Sequence, residues 1–152
     1  MKFTKVATLV AASALVWGLG GCSGLGTTPP PTLYQQLGGM DSINKMAGSM
    51  IASSSKDPRL SSLFANVDTT RATNALASQL CSSLGGQCNA PYSDRNVAAA
   101  SDRLTAEQKS AVAENFTQSV NSVTSDPALR DAVTKSVSSK LQGTVASLHM
   151  GS

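Results

Sequence analysis

Four side chains in this sequence bring distinctive chemistry: Cys22, Cys81, Cys88 and the single histidine, His149. Cys22 closes the run Leu19-Gly20-Gly21-Cys22, where small residues suit a leader peptidase and the thiol is placed for acylation. Cys81 and Cys88 lie close together and are left as a pair. They either close a short loop as a disulfide, remain free thiols, or make a weak metal pair. Metal is disfavoured, because no histidine or further cysteine lies near them. A bridge over so short a loop stabilises by roughly 2–3 kcal/mol. His149 stands at the end of a helical pattern and reads as a solvated helix-end residue. Serines abound, yet no histidine stands beside one as a base. Glu107 and Glu114 lengthen the acid list without forming a carboxylate pair. Hydrolytic catalysis is therefore not expected, and the chain reads as a non-enzyme.

The elements around these residues explain their placing. Lys2 and Lys5 precede an apolar run from Val6 to Leu19. A membrane span needs roughly 20 apolar residues, so this run reads as a secretory signal instead. Residues 1–21 form the expected signal peptide, and its end looks like a bacterial lipobox. Cys22 then becomes the first mature residue and carries the lipid. The alternative is a cysteine beside an ordinary cleavage site. Ser23 after Cys22 resembles the sorting signal for the outer membrane. Residues 22–32 are rich in Gly, Ser, Thr and Pro and end in Pro29-Pro30-Pro31, a flexible then stiff linker. An oxidising compartment beyond the inner membrane suits a Cys81–Cys88 bridge.

Residues 33–152 have the size of one small domain. The formal charge is +3. Two of those charges leave with the signal, so the mature chain is nearly neutral and offers no basic patch for nucleic acid. Aromatics make up only 4% and charged residues 14%. The core must rest on Leu, Val, Ile, Met and Ala.

The domain reads as all-α. Asp41 is placed to cap a helix whose Ile43, Met46, Ala47, Met50 and Ile51 make one stripe, ending weakly at Ser53-Ser54-Ser55. Asp57-Pro58 has the form of a helix start, with Leu60, Leu63 and Phe64 on the buried side. A third helix carries Leu76, Ala77, Leu80, Cys81 and Leu84 and stops at Gly85-Gly86. Gln87 to Asn96 reads as a loop, and Val97 to Ala100 as one helical turn. Thr105 and Gln108 have capping-box spacing before a helix with Val112, Ala113, Phe116, Val120 and Val123. Asp126-Pro127 caps a last helix through Leu129, Val133, Val137, Leu141, Val145 and Leu148, which Gly143 weakens.

The order of several short motifs resembles the group 1 truncated haemoglobins. Leu33-Tyr34 with Leu37-Gly38-Gly39 matches that family's opening. Asp57-Pro58-Arg59-Leu60, Leu63-Phe64, Asp68 and Leu84-Gly85-Gly86 follow in register. Cys81 and Cys88 match cysteines that members often carry around the glycine pair. The resemblance implies a single small globin-like fold of the two-on-two kind. It implies haem as cofactor, with Phe64 on the porphyrin face. The distal tyrosine position holds Ile51, and its phenylalanine neighbour holds Met50. The proximal histidine position falls on Ser101 or on Ala106, depending on the loop length assumed. Neither is an imidazole, which globin iron takes on its proximal side. Rescue by His149 needs the tail to fold under the pocket. Met46, Met50 and Lys109 are the remaining candidate donors, and methionines at helical spacing are ordinary core residues.

Two functions follow. One is a degenerate globin-like module, lipid-anchored in the cell envelope, with no metal or cofactor and a small apolar ligand or a protein as partner. Its expected pocket comprises Met50, Ile51, Phe64, Leu80 and Phe116. The other is a haem globin that binds oxygen or another diatomic gas.

Overall fold

The structure, a computed structural model, describes residues 28–150. The signal peptide and Cys22 lie outside the described residues. The linker falls within them only from Thr28 onward.

The longest apolar stripes build the frame. In α2 (Met40–Lys56) Ile43, Met46, Ala47, Met50 and Ile51 are all buried. Gly39, not Asp41, occupies the N-cap, because the chain swings in through Gly39 with φ 78°. Asp41 sits in the first turn instead, where its charge favours the positive helix end. The serine run does not stop the helix. Ser55 Oγ donates back to the Ala52 carbonyl at 3.2 Å, and the helix continues to Lys56.

Helix α4 (Thr69–Ser83) is capped by Asp68, whose carboxylate accepts from the amides of Thr70 and Arg71 at 2.9 and 3.0 Å. Helix α6 (Ala106–Asn121) starts at the expected Thr105–Gln108 capping box. Helix α7 (Pro127–Met150) starts where the Asp126 carboxylate accepts from Ala128 N. α2 packs on α4 and α6, and α7 packs on the same two helices. The result is two layers of two helices around a core of Met46, Met50, Leu76, Leu80, Phe116 and Val137. Among the described residues there is no strand.

The glycine motifs meet in space. Helix α1 (Leu33–Gln36) opens with a Thr32–Gln35 capping box. The Tyr34 amide donates to the Leu84 carbonyl at 2.9 Å, clasping α1 to the end of α4. There Gly85, with φ 86°, turns the chain out of the helix. Gly86 N donates to Cys81 O at 2.8 Å and Gly85 N to Ser82 O at 3.3 Å, the paired bonds of a Schellman ending. A Cβ on Gly85 would stand 3.0 Å from Thr32 Cβ, so the two motifs leave no room for a side chain between them. Cys81 and Cys88 are joined by a disulfide, with their Cα atoms 5.9 Å apart.

Asp57-Pro58 does not open a helix. α3 (Ser61–Phe64) begins later, after a turn closed by Leu60 N to Asp57 O at 2.9 Å. The Asp57 carboxylate is held by other partners. It accepts from Arg59 Nε at 3.0 Å and Arg59 Nη2 at 2.8 Å, and from Asn115 Nδ2 at 3.3 Å. Arg59 Nη2 also donates to Glu114 at 2.8 Å, and Asn115 Nδ2 lies 3.4 Å from Ser54 Oγ. This knot ties the end of α2 to the middle of α6. The Arg59 guanidinium lowers the Asp57 carboxyl to about 2 and holds Glu114 below its ordinary value. Among the described residues no buried side-chain nitrogen or oxygen lacks a partner.

Helix α5 (Asp94–Ser101) is longer than the single turn read at Val97 to Ala100, because Ser93 Oγ accepts from Asn96 N at 3.3 Å and starts it early. It packs on α7. The Val97 carbonyl lies against the bare backbone of Gly143, where any Cβ would overlap it. Ala100 and Leu104 close on Ala146 as a second small core. Gly143 is thus a packing device, not merely a weak point in α7.

Two outcomes test these contacts. Gly143→Ala by helix propensity alone would stabilise by about 1 kcal/mol. The overlap with Val97 reverses the sign, and a loss of about 1–3 kcal/mol is expected in denaturant unfolding. Asp57 titrates from an ordinary 3.8 to about 2 on folding, so its contribution is complete above that ordinary value and is lost as pH falls toward 2. Asp57→Asn is expected to flatten the acid limb of the melting-temperature profile in that window. An unchanged limb would remove the knot from the account of stability.

Candidate functional site

A half-open cleft of about 500 Å³ lies between the first half of α4 and the segment preceding α5. Its size is within the usual range of small-molecule sites, roughly 300–1,000 Å³. Three parts of the chain form it. Arg71, Ala72 and Ala75 line it from α4, held in place by the Asp68 cap. Pro91 and Tyr92 face them. Leu148, near the end of α7, lines it as well. Asn66, Val67 and Asp68 complete the lining.

The Pro91–Tyr92 wall is fixed from both sides. Upstream, the Cys81–Cys88 disulfide returns the chain to the end of α4. Gln79 Oε1, buried on α4, accepts from Tyr92 N at 3.4 Å. Downstream, Ser93 caps α5. Because α5 leans on α7 and does not pack broadly on α4, the space between α4 and this wall remains open. The Tyr92 phenol is half-buried. Burial pushes its pKa up, and the positive charge of Arg71 partly offsets that. The phenol therefore stays protonated near neutral pH. Among the described residues, the Arg71 guanidinium makes none of the salt bridges, which fall to Arg59 and Lys140.

The residues singled out from the sequence lie elsewhere. Met50, Ile51, Phe64, Leu80 and Phe116 do come together, but as members of the main core, each no more than 8% exposed. None of the five lines the cleft. Ile51 also borders a shallower hollow between α2 and α4, with Gly48 and Thr73. Met46 is fully buried in the core. Ser101 is half-buried with its Oγ 3.5 Å from Gln142 Oε1 on α7. Ala106 is exposed at the first position of α6. His149 is exposed in the last turn of α7, next in sequence to the cleft residue Leu148. Successive residues of a helix point about 100° apart, so neighbours do not share a face. Lys109 is half-buried on α6 and does not line the cleft. Among the described residues, no three His, Cys, Asp or Glu side chains cluster as a metal site. None of the described helices is long and apolar enough to cross a membrane.

Arg71 and Tyr92 were not legible as site residues. Arg71 is one exposed cation in a helix's first turn. Tyr92 is one aromatic in a polar loop. The only local hint was Cys88, four residues before Tyr92, which marks a loop held to a fixed place.

The comparisons with known proteins agree with this architecture. The family model for bacterial-like globin matches residues 32–146. No curated protein matches the chain.

Proposed function

We propose, from the premise that this chain belongs to the bacterial-like globin family, that it is a degenerate globin retained as a non-catalytic binding module of the cell envelope. The observation that carries this reading is the donor set. Globins hold haem iron through an axial side chain, an imidazole on the proximal side. Here the two proximal candidates are a serine beside Gln142 and an exposed alanine. The distal tyrosine position is Ile51, which donates no hydrogen bond and is 2% exposed within the core. Among the cleft residues, only the Tyr92 phenol is of a kind known to ligate haem iron. No imidazole stands beside it among the cleft residues. These residues do not fit haem.

The fold serves another end in this reading. Helices keep their apolar stripes, the disulfide and the α1 clasp keep the ends in place, and an open cleft remains. The lipid on Cys22 and the linker hold the module at the membrane, on the outer-membrane side by the sorting residue Ser23. The anchor supplies attachment, and the domain supplies recognition.

Two measurements test this. Haem added to the purified protein should give no Soret band that survives washing. A stable band with a one-to-one titration would restore the gas-binding globin. Radiolabelled palmitate should enter the wild-type chain and be lost in Cys22→Ser, with the variant leaving the membrane pellet. Label in both would sink the anchor.

A further inference from the structure

We propose that the cleft between α4 and the Pro91–Tyr92 wall binds a single-chain amphiphile with one carboxylate, its head on Arg71 and its chain along Ala72, Ala75 and Leu148. The inference rests on the reading that haem does not occupy this domain, and it names what the module takes instead.

The chemistry of the walls selects the class. Methyl and methylene groups dominate the interior, from Val67, Ala72, Ala75, Pro91 and Leu148. Burying a hydrocarbon chain there gains about 0.8 kcal/mol for each CH₂ removed from water. Such a surface has no pair of aromatic faces to sandwich a planar base. The polar lining is limited to Asn66, Asp68, Arg71 and Tyr92. Arg71 brings a guanidinium fork that makes no salt bridge among the described residues, the geometry that matches one carboxylate through two parallel hydrogen bonds. Tyr92 lines the same rim and keeps its hydroxyl proton, so it is a donor for a carboxylate oxygen.

Asp68 sets the charge limit. Its carboxylate lines the rim too, with Oδ1 accepting from the amides of Thr70 and Arg71. One cation beside one fixed anion leaves the rim nearly neutral. A phosphate monoester or other polyanion would meet Asp68 without a second cation to offset it. A monoanion on Arg71 pairs with the cation and gains the apolar walls.

The wall opposite α4 is also held in place before any ligand arrives. The disulfide and the Gln79–Tyr92 bond fix the segment that carries Pro91 and Tyr92. Less ordering entropy is then lost on binding than for a free loop.

The probes are dodecanoate and its uncharged counterpart dodecanol, titrated calorimetrically into the full chain purified without detergent. Dodecanoate should bind saturably and one-to-one, and dodecanol about tenfold more weakly, the size of one hydrogen-bonded charge. Arg71→Gln, an exposed change, should bring dodecanoate down to the dodecanol level. Ala75→Phe, which fills the cleft from a half-buried position, should abolish both while the melting transition is retained. Absence of saturable dodecanoate binding overturns the site. So does binding that neither variant alters, or equal affinity for acid and alcohol. Haem addition to the same preparation reads the underlying proposal separately. A stable Soret band overturns the haem-free reading. No band together with no dodecanoate binding overturns this site and leaves the haem-free reading standing.

Discussion

The contact between the Val97 carbonyl and the backbone of Gly143 decides where α5 lies, and the cleft follows from that. With no side chain at Gly143, α5 can sit directly on α7. Ala100, Leu104 and Ala146 then close a small second core beneath it. A helix committed to α7 is not available to α4. The face of α4 that carries Arg71, Ala72 and Ala75 is left facing the Pro91–Tyr92 segment and Leu148 of α7. The same commitment brings Ser101, one of the two positions on which the family's proximal residue falls, to Gln142 on α7. One missing methyl group thus links the packing of α5 on α7 to the opening of the cleft.

A chain with 4% aromatic residues has few large anchors for its core. It compensates by fixing the ends of its helices. The Asp57–Arg59–Asn115 knot joins α2 to α6. The Tyr34–Leu84 bond joins α1 to α4. The disulfide joins α4 to the loop after it. Each of these acts where a helix stops, and each leaves the interior to aliphatic packing. The knot is costly to break from one side, because an unpaired charge loses more than a paired one gains.

What the sequence revealed and what it hid divide along the same line. Periodic stripes such as Ile43–Met46–Met50 need only local geometry, and they were legible. So were the Thr105 and Asp126 caps, whose partners lie within three residues. Asp57 showed an equally good local signal, but its carboxylate is taken by Arg59 and by Asn115, 58 positions away. Gly143 looked like a flaw in a helix, because Val97 is its reason and lies 46 positions earlier on another element. The cleft was hidden more completely. Its walls come from residues 66 to 148; Asp68, Arg71, Ala72 and Ala75 share helical spacing, but polar and small residues on that stripe gave no apolar signal, and the other walls come from distant elements. Met50, Ile51, Phe64, Leu80 and Phe116 were rightly gathered by their apolarity, which is also why they fill the interior and do not line the opening.

The clasp between Thr32 and Gly85 gives the domain a direction. It brings the incoming chain onto the C-terminal end of α4, whereas the cleft opens beside that helix's first turns. At 1.5 Å per residue the two are roughly 20 Å apart along the helix. Entry pole and mouth therefore lie at opposite ends of one rod. On the proposed anchor at Cys22, a bilayer upstream of Thr32 would lie toward the entry pole and the mouth would face away from it.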